Sequence, residues 1–254
     1  AAMVEAGSSQ AAEILTFSPS SQGREQWLRR VGSGFSQQLE HIRQTLFELA
    51  GVQRHHLVLD LNAGTGLLTW EALRLTPEGG VWTLAGDAQT ATALSEQAAR
   101  FPELERPVVV AGTIDDLPAL LAERKQAELR FDVIIGRNVL TRQSDRPALA
   151  RRMRDLMAAG GRIVLAEAIP RRAQRLYRLV DLSSLGSDLV ERIMQAEESI
   201  YQAADDPMVN WDADDLEQAF MAAGLTVTLR LEPDTRQNQI TPAQLNRWFD
   251  PAPD

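Results

Sequence analysis

A chain of 254 residues with 44% hydrophobic and 24% charged residues and a formal charge of −9 has the composition of a folded domain large enough to bury a substantial core. It contains no cysteine, which excludes disulfides, thiolate metal sites, iron–sulfur clusters and every mechanism that needs a thiol nucleophile. The longest apolar runs, such as Val108–Ala111 and Ile163–Ala166, fall far short of the roughly 20 residues of a membrane span, and no basic region followed by an apolar stretch marks a secretory signal, so a cytoplasmic domain is expected.

The chain opens at Ala1-Ala2 without an initiator Met, as expected of a domain from a longer protein. Residues 1–23, rich in Ala, Ser, Gln and Gly, read as a flexible lead or linker. From Trp27 to Leu49 the residues Val31, Phe35, Leu39, Ile42 and Leu46 recur at helical steps, predicting a helical extension over 24–56 with a break at Gly32-Ser33-Gly34. Short apolar strands then alternate with helical segments. The strands fall at 57–61, 81–85, 107–111, 131–136 and 161–167, and the helices at 66–76, 89–100, 117–128 and 145–158. This alternation predicts an α/β fold, a doubly wound, mostly parallel sheet with helices on both faces. The rhythm changes after 167, where helical patterns at 171–182 and 186–203 precede a helix at 213–223 and a strand at 225–231. The segment 171–212 therefore reads as a helical lid inserted near the carboxyl edge of the sheet, within a domain running from 57 to 254. Thr241-Pro242-Ala243 through Phe249 reads as an N-capped helix.

The run Leu57-Val58-Leu59-Asp60-Leu61-Asn62-Ala63-Gly64-Thr65-Gly66-Leu67-Leu68 takes a buried strand into a glycine turn and a helix, so that backbone amides can approach a ligand closely. A dinucleotide-binding turn is one reading of it, since an acid follows about 20 residues on, but that motif wants Gly where Thr69 stands and does not predict Asp60 ahead of the glycines. With Asp60 as the acid and Gly64 and Gly66 as the second and third glycines, the run resembles the first motif of class I S-adenosylmethionine-dependent methyltransferases. Asn62 stands at the first glycine, and Asn tolerates the left-handed backbone angles such a position can require. Val81-Trp82-Thr83-Leu84-Ala85-Gly86-Asp87 resembles the second strand of that family, Ala111-Gly112-Thr113-Ile114-Asp115-Asp116-Leu117-Pro118 its adenine-flanking segment, and Phe131 to Leu140 its fourth motif. Ala159-Gly160-Gly161-Arg162-Ile163-Val164 resembles its turn into the fifth strand, and the 213–231 pair its closing elements.

The resemblance implies a seven-stranded Rossmann-like sheet, S-adenosylmethionine as cofactor, and an enzyme that methylates an acceptor the sequence does not identify. It implies a cofactor site of Asp60, Asn62, Ala63, Gly64, Thr65, Gly66, Asp87, Ala88, Thr113, Ile114, Arg137 and Asn138. Asp87 would meet the ribose hydroxyls with Ala88 beside it, and the adenine amino group would fall to backbone or Asp115, because Thr113 stands where the family often has Asp. The stretch Leu59 to Ala72 also resembles a methyltransferase-type domain fused behind AAA+ recombination-factor ATPases, which implies such an ATPase as a partner and an acceptor tied to DNA maintenance.

Methyl transfer from a sulfonium is an in-line displacement in which the protein mostly supplies proximity, and a base is needed only when the acceptor arrives protonated. The histidines are poor candidates for one. His41 lies on the N-terminal helix, and His55-His56 precede the 57–61 strand at the edge opposite the ligand. No metal site is expected from two adjacent histidines. Arg137-Asn138-Val139-Leu140 lacks the Asn-Pro-Pro-aromatic signature of amino methylation, and the absence of Cys excludes pyrimidine C5 methylation through a thiol adduct. Asn138 and Glu167 remain as catalytic candidates, Glu167 being equally readable as a structural carboxylate, while Tyr177 and Tyr201 either line an acceptor pocket or pack within the insertion. Asn62, Thr113 and the lack of an evident base keep a second function open, a degenerate cofactor-binding or protein-interaction module.

The charge of −9 is a cancellation. Residues 137–178 carry 11 arginines against Asp145, Asp155 and Glu167, whereas residues 179–220 carry Arg192 against 11 acids. A helix at 171–182 would set Arg171, Arg175 and Arg178 on one face, to pair either with the acids that follow or with an anionic acceptor, nucleic acid included.

Overall fold

The computed structural model describes residues 35–141 and 143–233, together with Pro242. The lead at 1–23, the segment 24–34 with its Gly32–Gly34 break and, Pro242 aside, the helix expected at 241–249 lie outside the described residues. Among the described residues, 43–229 form one compact unit, and 35–42 with 230–233 belong to another. In the latter, Glu232 lies 3.0 Å from His41 and 2.7 Å from Arg230.

After helix α1 (Phe35–Ala50), strands and helices alternate: β1 (Leu57–Asp60), α2 (Leu67–Leu75), β2 (Gly80–Ala85), α3 (Ala88–Ala98), β3 (Val108–Ala111), α4 (Leu117–Glu123), β4 (Phe131–Arg137), α5 (Arg146–Leu156) and β5 (Met157–Ala166). The insertion carries α6 (Ser187–Tyr201), and α7 (Ala213–Ala222) follows. Local chemistry sets the boundaries. Asp87 and Asp145 cap α3 and α5 by accepting from Thr90 N and Ala148 N, Asp212 and Asp215 form a capping box on α7, and Lys125 at φ 59 follows the end of α4.

The five strands are all parallel in the order β3-β2-β1-β4-β5. The chain winds outward from β1 to β3 and then crosses back to β4, so the strand order reverses between β1 and β4, at whose carboxyl ends ligands bind in such sheets. Side chains alternate across the sheet as strand geometry requires. Leu59, Trp82, Leu84 and Ile134 join Leu117, Leu121, Leu149, Met153, Trp211 and Leu216 in one buried layer. Val58, Val81, Val133 and Ile135 face Leu46, Phe47, Leu68 and Ala72 in the other.

Two local expectations differ from the structure. Of the seven strands expected, five lie among the described residues, and residues 225–229 of the same unit form none, although half-buried Leu225 and Val227 alternate with exposed Thr226 and Thr228 as a strand's residues would. The helix expected at 171–182 is replaced by two short turns at 170–172 and 176–178. There Arg175 donates to the carbonyls of Ala173 and Arg171, and the Glu197 carboxylate takes the N–H groups of Leu176 and Tyr177, so these polar groups have partners without a helix.

One arginine of the basic block lies inside. Arg146 is 7% exposed, with Nε donating to Leu140 O at 3.2 Å, Nη1 to Asn210 Oδ1 at 3.3 Å and Nη2 to Pro207 O, and its guanidinium sits 5.0 Å from the centre of the Trp211 ring. It ties the loop after β4 to the segment entering α7. Arg146→Met fills similar apolar volume but takes the Arg146 donor from Pro207 O and Asn210 Oδ1, and should cost about 1–3 kcal/mol, read as a lower urea midpoint at unchanged m.

Candidate functional site

The site is built where β1 ends. Asp60 is fully buried, and its carboxylate accepts from Asn62 N at 3.2 Å and from Thr69 Oγ1 at 2.7 Å. Thr69, on α2, also lies 3.0 Å from Thr83 Oγ1 on β2. One dry carboxylate therefore ties strand, glycine turn, helix and neighbouring strand together. Burial raises the Asp60 carboxyl from 3.8 to about 6, against the lowering effect of the hydrogen bonds from Thr69 and Asn62.

The turn itself needs glycine at two places. Gly64 has φ 50, and Gly66, which caps α2, has φ 82 with a hypothetical Cβ 2.1 Å from Trp70 Nε1. Asn62 does not take a left-handed conformation; among the described non-glycine residues only Lys125 and Asn138 do. The side chain of Asn62 instead donates to Arg137 O at 2.8 Å, joining the ends of β1 and β4. Ala63 N donates to Leu84 O at 3.0 Å, and Gly112 N to Ala85 O at 2.9 Å. The expected residues are thus gathered along one edge, with Asn62, Gly64, Thr65, Gly86, Asp87, Ala88 and Thr113 exposed there and Ala63, Gly66 and Ile114 buried beneath. A Cβ at Gly64 or Gly86 would meet nothing within 4 Å, so both backbones face open space.

Asp87 is exposed at the end of β2, where hydrogen bonds from Thr90 N at 2.7 Å and Thr90 Oγ1 at 2.9 Å hold its carboxyl below the usual range and fix its rotamer. Beyond β3, Thr113 donates through both N and Oγ1 to Asp116 Oδ2, and Asp115 pairs with Arg152 at 2.6 Å, so neither side chain stands unengaged.

The loop leaving β4 is held by the two residues singled out as catalytic candidates. Asn138, at φ 52, donates from its N–H to Ala166 O and accepts from Ala168 N through Oδ1. Glu167 accepts from Val139 N at 2.6 Å, Leu140 N at 3.1 Å and Thr141 Oγ1 at 3.3 Å. Desolvation pushes the Glu167 carboxyl up to about 7, opposed by these donors and by the charge of Arg146. Three residues of this architecture were not legible as site residues: Thr69, Trp70 and Arg146. Thr69 had a faint signal, a hydroxyl one helical turn past the glycines and nine residues from Asp60; Arg146 had none within its arginine-rich surroundings.

In the insertion, two arginines of the basic block pair with acids that follow it. Arg172 meets Asp212 at 2.6 Å, and Arg175 meets Glu198 at 3.0 Å while lying 3.8 Å from the centre of the Tyr201 ring. Tyr177 donates its hydroxyl to Glu198 Oε1. Among the described residues no cluster of His, Asp and Glu is able to hold a metal ion, and no helix is long and apolar enough to cross a membrane.

No family model and no curated protein matches the chain. Solved structures do resemble it. The mycolic acid cyclopropane synthase CmaA1 complexed with SAH and CTAB aligns at a TM-score of 0.51 and 14% identity, over 74% of this chain and 61% of that one. The cyclopropane synthase MmaA2 from Mycobacterium tuberculosis aligns at 0.50 and 13% identity, over 74% and 61%. The Bacillus protein YcgJ aligns at 0.50 and 16% identity, over 74% and 69%. The chain therefore spans about three fifths of the two synthases' length, and the likenesses establish a Rossmann-like methyltransferase fold.

Asp60 and Glu167 both hold their protons more tightly folded than unfolded. Between the ordinary and the raised value the folded chain binds more protons, so stability falls as pH rises through that window. The urea midpoint should decline from pH 5 to about 7 and level off above, and Glu167→Gln should flatten the upper part of the decline, as followed by tryptophan fluorescence.

Proposed function

We propose that this domain binds S-adenosylmethionine along the carboxyl edge of β1, β2 and β4 and transfers its methyl group to an acceptor held on the side of the insertion. The observation that carries the reading is the pair of aspartates ending adjacent strands: Asp60 buried to brace the glycine turn, Asp87 exposed beside it. The dinucleotide alternative would require a small residue at 69 for close helix–strand packing, and a threonine committed to Asp60 occupies that place. The methyltransferase fold and the SAH complex of CmaA1 support the reading.

The residues present fit the cofactor. Open space above Gly64 and Gly86 admits a ligand against the backbone, and Asn62 serves at the first glycine because its backbone needs no positive φ. Asp87, though bound by Thr90, keeps lone pairs for the ribose hydroxyls, with Ala88 alongside. Since Thr113 and Asp115 are engaged, as are Gly112 N, Thr113 N, Thr113 O and Ile114 O, adenine rests on the Ile114 side chain and on Gly112 O and Ile114 N. Ala63, Gly64, Thr65 and Gly66 turn along the remaining part, and Arg137 and Asn138 close the β4 side. Bound there, the cofactor supplies a methyl group already activated on a sulfonium sulfur, so the chain's contribution is alignment.

Glu167 and Asn138 are spent on holding the loop after β4, which makes positioning their role and suits an acceptor that arrives with a free lone pair. Arg172 and Arg175 are paired internally and so offer an anionic acceptor less than the sequence spacing suggests. A fused AAA+ ATPase remains a reading of residues 59–72 alone.

Titration calorimetry with S-adenosylmethionine and its demethylated product should show one site. Asp87→Ala should weaken it about tenfold, the equivalent of one or two hydrogen bonds. Gly66→Ala, which demands a positive φ of alanine and drives its Cβ into Trp70, should lose binding with part of the stability. No heat at millimolar cofactor overturns the proposal and leaves an interaction module.

A further inference from the structure

The insertion contains a groove of about 890 Å³ along α6, a volume within the range of about 300–1,000 Å³ typical of small-molecule sites. Its apolar lining comes from Leu182, Leu185, Val190 and Met194, and its polar lining includes Glu191, Gln195 and Glu198. No basic side chain lines it. α6 buries none of its side chains, and Leu185, Leu189, Met194 and Ile200 stay 38%, 44%, 39% and 60% exposed. Such a concentration of apolar surface on one short insertion marks a binding surface rather than scattered exposure.

The charge around the groove selects the occupant. Glu198 shares its charge with Arg175 and the Tyr177 hydroxyl, whereas Glu191 is met by Gln195 at 2.9 Å, a neutral donor. The charged side chains of the lining are Glu191 and Glu198, and none is basic, so an anion entering the groove is repelled and a cation attracted at Glu191. The insertion leaves the sheet at the carboxyl end of β5, the edge that carries Asn62, Gly64 and Asp87. We infer that this groove takes an elongated apolar molecule with a cationic head, its tail on Leu182, Val190 and Met194 and its head at Glu191. Its role as the acceptor subsite for methyl transfer rests on the function proposed above.

Decylammonium, decanol and decanoate, each kept below its micelle threshold, test this by calorimetric titration into the full chain. Decylammonium should bind about tenfold more tightly than decanoate, with decanol between them. Glu191→Gln should erase the preference for the amine while retaining decanol binding, and Met194→Asn should weaken all three. Because α6 contributes nothing to the buried core, both variants should keep the wild-type urea midpoint, which is measured alongside. Equal affinity for the three probes, a preference for decanoate, or indifference to Met194→Asn overturns the groove assignment. Titration of the demethylated cofactor into the same samples separates the two readings: amine binding without cofactor binding retains the groove's ligand class and overturns its place in methyl transfer.

Discussion

Everything at the carboxyl edge depends on keeping one carboxylate dry. Asp60 is withdrawn from water at the end of β1, which alone would be costly, and it is tolerated because Thr69 and the Asn62 amide deliver donors to it. Those donors sit on the two elements that must be placed exactly for a ligand to approach the turn: the backbone at the first glycine position and the first turn of α2. The Thr69 hydroxyl also reaches Thr83 and so sets the helix against β2 as well as β1. A polar contact confined to four short segments thereby does what a third glycine's close packing would do in a dinucleotide-binding turn, and the identity of residue 69 separates the two kinds of site.

A second buried polar arrangement organises the opposite half of the edge. Glu167, at the end of β5, collects backbone N–H groups from the loop after β4, while Arg146 collects carbonyls from that loop and from the segment entering α7. Anion and cation serve complementary halves of the backbone inventory, donors to one and acceptors to the other, in a region where neither helix nor strand satisfies them. The loop that follows β4 is consequently fixed to β5 and to the chain that returns from the insertion.

The insertion resolves the charge pattern of the chain. Within the arginine-rich block, Arg172 and Arg175 turn onto Asp212 and Glu198, and Arg175 lies over Tyr201 besides, while Arg171 and Arg178 stay exposed. Local competition for backbone groups, seen in the contacts of Arg175 and Glu197, takes the place of the helix that spacing alone suggests at 171–182. Beside them α6 keeps its apolar side chains outward, with Glu191 met by the neutral amide of Gln195.

The sequence by itself determined the alternation of strands and helices from 57 to 166, the glycine turn, and the aspartates that end β1 and β2. Those features follow from local periodicity and from backbone angles that few residues adopt, so they are written in neighbouring residues. Only the tertiary structure decided that Asn62 bridges to Arg137 rather than adopting a glycine-like angle, that Asn138 takes that angle instead, that Arg146 is buried among surface-like arginines, and that 225–229 forms no strand. Each of these turns on a partner brought close by folding: Arg137 lies 75 positions from Asn62, and Asn210 lies 64 from Arg146. Desolvation and long-range hydrogen bonding depend on what surrounds a group in space, and a linear pattern carries no record of it.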